Sequence, residues 1–428
     1  MMQWLRTSSH LFVLFIQAIL LQLVWTQPVH LDSRRMRWTR ISLLPLTLGL
    51  LFVNRCLRRQ DSEFVRPFQA NPGCMLTPDT LKAILLAFNQ PSPARAAKLH
   101  ASPGPHADSL PTILFRAVFL VIKASSNPSK QVKLVTGGSR HTIRADLAFL
   151  LSTVRRMLVL NTVGVLGLYC WKGVHDDALV GRFPILSRYQ TQTSAVVWGV
   201  FIWTGIDLVG CLVRIAAFVS KAVHRLLSHH SRAYRNLFSD ADLSRVDLEE
   251  TCPVWFTKSP LEAASLSAFW RNHWHTMLQD LFVEAGAIPL TSLVRWTFAS
   301  RKPHPKLLRL SGIIGAFGVS AILHEAGIWC NAGSFDRRLR TLTFFLSQAV
   351  AICLENGFKS LSGKLVDGPL GRIWTFSWLI FFGAPMIEAW LEGLAFDKHK
   401  MFDHANQLGL WRMLSTPFIL PKLIFSFE

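Results

Sequence analysis

The chain has 428 residues, of which 50% are hydrophobic and 17% are charged, and its formal net charge is +20. This composition is too apolar for a disordered protein, and the 7 cysteines are too few in a chain of this length for a disulfide scaffold. The basic residues lie in short clusters between long apolar runs, which is typical of a membrane protein rather than of a nucleic-acid-binding protein.

Apolar runs close to the length that crosses a bilayer recur along the chain. The stronger candidates are Leu11 to Trp25, Met157 to Trp171, Ala195 to Val219, Leu310 to Cys330 and Ile373 to Trp390. The weaker candidates are Leu281 to Phe298, Leu342 to Cys353 and Leu408 to Phe427. The sequence therefore predicts an all-α fold, a polytopic membrane helix bundle of roughly eight to ten spans.

Some apolar runs are shorter or interrupted. Leu43 to Val53 and Ile113 to Ile122 fit re-entrant, interfacial or buried core helices, and the basic flanks of the first indicate that it does not cross. An arginine pair, Arg155 and Arg156, separates the apolar stretch Leu147 to Val154 from the span that follows. No small-residue cleavage pattern follows the first run, so we expect an uncleaved first helix.

Three polar regions separate the apolar runs. Pro91 to Pro111 and Ser125 to Arg144 are rich in proline, glycine and polar residues and are predicted to be loops. Lys221 to Ala264 is basic in its first part and acidic in its second, which favours a solvated loop. We expect its basic part, Lys221 to Arg235, to lie on the cytosolic side.

The first candidate site is the segment Ser265-Leu266-Ser267-Ala268-Phe269-Trp270-Arg271-Asn272-His273-Trp274-His275. On a helix, Trp270 lies over Trp274, and Arg271 lies over His275. One face is then aromatic, and the adjacent face is cationic and suited to phosphate. An interfacial helix with a tryptophan anchor and no chemistry fits the same spacing.

The second candidate site is His324, which lies inside an apolar run where an ionisable residue is costly. On a helix it shares a face with the small residues Ser320 and Ala321, so a substrate or a neighbouring helix can approach closely. A neutral imidazole in this setting can accept a proton. A histidine hydrogen-bonded to a neighbouring helix fits equally well. His324-Glu325 begins a zinc motif, but position 328 is isoleucine, so no metal is predicted.

Acidic side chains also lie within apolar runs. Asp207 and Arg214 share a helical face, where they either pair or find other partners, and a structural role is favoured. Glu284, Glu355 and Glu388 would be available to line a cavity. They carry the main alternative function, a membrane transporter that uses intramembrane acidic residues as a relay. A non-catalytic scaffold for other enzymes is a further alternative.

The two candidate sites together resemble the wax synthase-like branch of the membrane-bound O-acyltransferases. The likeness rests on Ser265 to His275, on the approach Pro253-Val254-Trp255-Phe256-Thr257-Lys258-Ser259-Pro260, and on the small-residue helix that ends in His324-Glu325. It covers about Pro253 to Trp390, and the most similar members are fungal O-acetyltransferases of terpenoids and meroterpenoids. The chain departs from the family at Arg271-Asn272-His273, where Gly-Arg-Arg is more usual.

The resemblance implies acyl transfer from acyl-CoA, here acetyl-CoA, to a hydroxyl of a lipophilic terpenoid or meroterpenoid made in secondary metabolism. It implies His324 and His275 as catalytic residues, and Trp270, Arg271, Trp274 and Ser320 as substrate-binding residues. Acetyl-CoA is a co-substrate, and no bound cofactor or metal is implied. We expect no nucleic-acid partner and a location in the endoplasmic reticulum membrane.

The same resemblance suggests how the chain is organised. We expect N-terminal membrane helices with proline-rich loops over 1–250, an acyltransferase core over 251–392 and a C-terminal membrane helix over 393–428. These parts are expected to form one integrated domain.

Overall fold

The computed structural model of the chain describes residues 12–21, 23, 33–60, 72–88, 142–237, 244, 246–274, 278–298, 303–332, 334–393 and 398–415. The main helices are α1 (Phe12–Leu21), α2 (Ser33–Gln60), α3 (Pro72–Phe88), α4 (Ile143–Val174), α5 (Gln190–His230), α6 (Ile288–Thr297), α7 (Pro305–Ala332), α8 (Arg340–Ser362), α9 (Gly368–Gly393), α10 (Lys398–Leu408) and α11 (Leu410–Ser415). Short helical pieces lie at Asp177–Arg182, Ile185–Arg188, Arg232–Leu237, Leu248–Thr251, Pro260–Glu262, Leu266–Ala268, Phe269–His273, Gln279–Phe282 and Val283–Ala287.

Four helices within the described residues are long and apolar enough to cross a membrane: α4, α5, α7 over Pro305–Trp329, and α9. The all-helical, multi-pass prediction is therefore confirmed, but a count of eight to ten spans is not shown. Of the first predicted span, Leu11 to Trp25, the structure describes the ten residues of α1 and Leu23, and the remainder lies outside the described residues. The short run Ile113 to Ile122 and the proline-rich stretch Pro91 to Pro111 lie outside the described residues.

The arginine pair before Met157 does not interrupt the helix, although in the sequence it separates an apolar stretch from the predicted span. α4 runs through both arginines without a break. Arg156 donates to Asp207 Oδ2 on α5 at 2.6 Å and to the carbonyl of Phe256 at 2.7 Å, so its charge is matched inside the bundle. Burying an arginine that is paired with a carboxylate costs far less free energy than burying an isolated one. The helix can therefore continue through a position where the apolar run is interrupted in the sequence. Ser125 to Arg144 is likewise predicted as a loop, but Ile143 and Arg144 begin α4.

The polar region from Lys221 is also not a solvated loop at its start. α5 continues through it to His230, a helix of 41 residues. Lys221 is buried and donates to Asp146 Oδ1 and to the carbonyl of Val246, both at 2.7 Å. The ion pair between Lys221 and Asp146 therefore allows α5 to extend beyond the apolar run.

Two of the weaker candidate spans and one of the short runs also differ from the sequence-based expectation. Leu281 to Phe298 is divided by a π-helical turn at Val283–Ala287. Leu408 to Phe427 is interrupted at Gly409, whose φ of 73° separates α10 from α11, and its end lies outside the described residues. Leu43 to Val53 lies within the 28-residue helix α2 and is not a short separate helix.

α7 lies at the centre of the carboxyl-terminal half and packs against α3, α6, α8 and the π-helical turn. The closest approach is reciprocal, between Gly286 in the turn and Gly315 on α7. A Cβ on either glycine would collide with the carbonyl oxygen of the other. α9 packs against α5 and α8, so a core of α4, α5, α7, α8 and α9 side chains forms around the residues described next.

Candidate active site

The segment that leads into the first candidate site is held by charged residues of the amino-terminal helices. Arg156 and Arg214 donate to the carbonyls of Phe256 and Cys252, respectively. Gly210 on α5 leaves room for the indole of Trp255, because a Cβ there would lie 3.0 Å from the ring. The polar residues inside α4 and α5 therefore fix the path of the segment that follows.

Glu355 on α8 anchors the start of the candidate segment. Its buried carboxylate accepts hydrogen bonds from the Leu266 amide at 2.6 Å, the Ser267 amide at 2.9 Å, the Ser267 hydroxyl at 2.6 Å and Trp374 Nε1 at 3.1 Å. A buried carboxylate with this many donors is well satisfied. Glu355 is thus bound to protein groups, which gives it a structural role.

The candidate segment is helical only as far as His273. A single α-helical turn, Leu266–Ala268, passes into the π-helical turn Phe269–His273, and the chain is extended at Trp274. The rings of Trp270 and Trp274 lie 6.1 Å apart, as a helix predicts. The predicted helix does not reach position 275, so helical spacing gives no basis for placing Arg271 over His275, which lies outside the described residues.

Trp270 faces the core. Its Nε1 donates to Gln348 Oε1 at 3.2 Å, and its ring lies 5.5 Å from Phe317 and 6.4 Å from both Phe344 and Phe345. Since the indole N–H is already bonded to Gln348, any contact between Trp270 and a substrate would be made by the ring.

The other residues of the segment differ in exposure. Arg271 is exposed, whereas His273 is buried and its Nδ1–H donates to the carbonyl of Ser259 at 2.7 Å. The indole of Trp274 stacks on Phe269 with centroids 5.3 Å apart. The segment therefore presents Arg271 outward, buries Phe269, and leaves Trp270 and Trp274 half-buried.

His324 lies on α7 as predicted, and its tautomer follows from one hydrogen bond. Its Nδ1 is 2.7 Å from the backbone carbonyl of Ser320, one turn earlier. A carbonyl oxygen only accepts, so Nδ1 carries the proton and Nε2 has the free lone pair of a base. No described residue donates a hydrogen bond to Nε2 among the contacts of this ring.

Two aromatic rings lie nearly parallel to the imidazole of His324. The Phe345 ring on α8 is 4.3 Å away with its plane at 28°, and the Trp390 ring on α9 is 5.7 Å away with its plane at 10°. Phe345 also contacts Trp270, and Phe317 lies about 10 Å from His324 along the same face of α7. The two candidate sites therefore face one aromatic core.

The intramembrane acidic residues have protein partners. Asp207 binds Arg156 rather than Arg214, and Arg214 binds Glu249 at 2.8 Å. Glu388 accepts from the Thr191 hydroxyl at 2.9 Å. Together with the bonds to Glu355, these contacts support structural roles and give no support to a proton relay. Among the described residues, no group of three or more His, Cys, Asp or Glu side chains is arranged to hold a metal ion.

Sequence analysis did not identify several residues that shape this site: Gln348, Phe345, Trp390 and Glu355 in its structural role. Gln348 is fully buried and also donates to the carbonyl of Phe344 at 3.1 Å. A glutamine among apolar residues was the one available signal of a buried hydrogen bond. Phe345 and Trp390 carry no signal that separates them from other core aromatic residues.

Comparison with known proteins gives one family match and one curated relative. Residues 253–347 match the model of the Membrane bound O-acyl transferase family. The chain is also similar to the "Acetyltransferase ataH" of Aspergillus terreus, with 34% identity over 129 residues, which cover 28% of this chain and 40% of that protein. No solved structure matches. The family match contains the segment Ser265 to Trp274, His324 and Phe345.

Proposed function

We propose that the protein is an acyl-CoA-dependent O-acyltransferase in which His324 is the general base. One observation carries the proposal: the bond from Nδ1–H to Ser320 leaves Nε2 of His324 as a proton acceptor within the family-matched region. A lipophilic alcohol enters from the bilayer, and the water-soluble acyl-CoA enters from the aqueous side.

The chemistry needs no covalent enzyme intermediate. Nε2 of His324 takes the proton of the hydroxyl while its oxygen attacks the thioester carbonyl. The tetrahedral intermediate then expels the CoA thiolate, which takes the proton from the imidazolium, so an ester and free CoA leave and the imidazole is neutral again. His275 orients or polarises a reactant in this proposal.

The donor and acceptor are assigned by likeness. The name of the Aspergillus terreus relative supports transfer of an acetyl group, and the resemblance described from the sequence supports acetyl-CoA as its donor and a terpenoid or meroterpenoid alcohol of secondary metabolism as the acceptor. Arg271, which is exposed in the first candidate segment, binds the phosphates of CoA. The ring faces of Trp270 and Trp274 contact the substrates. Ser320, one turn before His324, also binds substrate. The membrane is that of the endoplasmic reticulum.

The direct test is to incubate membranes containing the protein with labelled acetyl-CoA and a panel of hydroxylated terpenoids. The expected product is an acetyl ester identified by mass, absent from membranes without the protein. Ester formation only from longer acyl-CoA would contradict the acetyl donor. Movement of an alcohol into vesicles with no ester product would contradict the acyltransferase and favour the transporter.

A further inference from the structure

A single arginine joins two helices at the end of the bundle nearest to His324. Arg340, the first residue of α8, binds Glu392 in the last turn of α9 in a bidentate manner, with Nη1 3.1 Å from Oε1 and Nη2 bonded to Oε2. The same guanidinium donates to Asp336 in the preceding loop, with Nε 3.2 Å from Oδ2 and Nη2 3.2 Å from Oδ1. Bidentate geometry fixes orientation as well as distance.

The chain of contacts extends to α7 through the residue next to His324. The Asp336 amide donates to Glu325 Oε1 at 2.7 Å. Asp336 also accepts from the Arg340 amide at 2.7 Å, so it caps the start of α8. Glu325 therefore ties α7 to the loop that Arg340 holds.

The three linked helices are those that carry His324 and the two rings parallel to it. Phe345 follows Arg340 on α8, and Trp390 lies just before Glu392 on α9. A shift of α8 or α9 at the Arg340 contacts would therefore move a ring that contacts His324.

The charges of Asp336, Arg340 and Glu392 and the backbone conformation of Leu339 both indicate that the surrounding contacts hold the start of α8 in place. Burial opposes ionisation of Asp336, but the hydrogen bonds from Arg340 outweigh it and lower the pKa of this carboxyl below its ordinary value. The bond to Glu392, helped by Asp336, raises the pKa of Arg340. Leu339 is held at a φ of 52°, a left-handed conformation that is unfavourable for leucine and persists only where surrounding contacts impose it.

We propose that Asp336, Arg340 and Glu392 form a positioning bridge that holds Phe345 and Trp390 against His324, and so keeps the imidazole in its reactive orientation. This inference rests on the proposed acyltransferase function. Glu392 is 63% exposed in its side chain, so its pair with Arg340 adds little to stability. Loss of the Glu392 contact should therefore act on turnover more than on folding.

The test compares Arg340→Met with Arg337→Met, which removes an exposed arginine of the same loop. Arg340→Met should lower kcat by about ten- to a hundredfold with the KM for acetyl-CoA unchanged, because misplacing a reacting group by a small distance costs this much. Arg337→Met should leave kcat unchanged.

Glu392→Gln should also lower kcat. Adding Glu392→Gln to Arg340→Met should cause little further loss of kcat, since both substitutions act through one bridge. Arg340→Lys should restore part of the rate.

A second measurement does not depend on activity. Hydrogen–deuterium exchange of the purified protein should increase at the start of α8 and the end of α9 in Arg340→Met, and not in Arg337→Met. Unchanged exchange and kcat in Arg340→Met would overturn the bridge. Increased exchange with a normal kcat would overturn its link to His324. If the wild-type protein forms no ester while Arg340→Met still loosens both helix ends, the acyltransferase function fails and so does the positioning role, although the contact itself is verified.

Discussion

The imidazole of His324 and the ring of Phe345 stack with centroids 4.3 Å apart, and this contact joins the histidine helix to α8. The same phenyl ring lies 6.4 Å from the indole of Trp270 in the aromatic segment. Phe345 is thus the residue through which the two sites predicted from the sequence meet.

Gly315 and Gly318 on α7 give a matched pair of substitutions. Gly315→Ala would press its methyl group into the backbone of Gly286, whereas nothing lies within 4 Å of a Cβ at Gly318. We expect Gly315→Ala to lower the free energy of unfolding by about 1–3 kcal/mol. Gly318→Ala should be neutral or stabilising by up to about 1 kcal/mol. Thermal unfolding in detergent measures both, and equal midpoints would contradict the close approach of α7 to the π-helical turn.

Glu355 is expected to be structural. Glu355→Gln puts an amide NH₂ among N–H and O–H donors and should destabilise the protein by about 3 kcal/mol. Glu388→Gln is the control, because Glu388 is exposed and Gln can still accept from Thr191, so the change should stay within about 0.5 kcal/mol. If Glu355→Gln were as stable as wild type and lost only transport of a solute, the relay function would be preferred.

Arg271 is predicted to bind the CoA portion of the donor. Arg271→Met should raise the KM for acetyl-CoA by about tenfold, the loss expected for one charge-assisted hydrogen bond, with kcat little changed. The increase should shrink at high salt, since screening weakens the contact in the wild-type protein too. Arg295→Met, another exposed arginine, serves as the control. An unchanged KM in Arg271→Met would remove Arg271 from donor binding.

The helical membrane architecture and the position of His324 on a helix were predictable, because long apolar runs and helical spacing are local properties of the sequence. The length of α4 and α5 was not, because Arg156 and Lys221 are tolerated only through Asp207 and Asp146 on the neighbouring helix. Such pairings join residues far apart in sequence.

In the candidate site, too, local features were predictable from the sequence and contacts between helices were not. Trp270 and His324 stand out by residue type, but Gln348 and Phe345 gain their roles only from packing between helices. The π-helical turn at Phe269–His273 ends the helix earlier than regular spacing predicts. The roles of Trp274, Ser320 and His275 remain predictions from the sequence.

His175 provides a matched control for His324. Its Nδ1–H also donates to a carbonyl one turn earlier, that of Trp171 at 3.0 Å, and its ring lies 5.4 Å from the Trp171 ring. It lies outside the family-matched residues 253–347. A histidine of similar geometry is thus available that the proposed mechanism does not use.

The most direct measurement is the initial rate of acetyl ester formation by membranes that contain equal amounts of wild-type protein, His324→Ala or His175→Ala. The alcohol is one that the terpenoid panel identifies as an acceptor. His324→Ala should lose about a hundred- to ten-thousandfold in rate, as expected when a general base is removed, while His175→Ala stays near wild type. A rate near wild type in His324→Ala would contradict the assignment of His324 as the base.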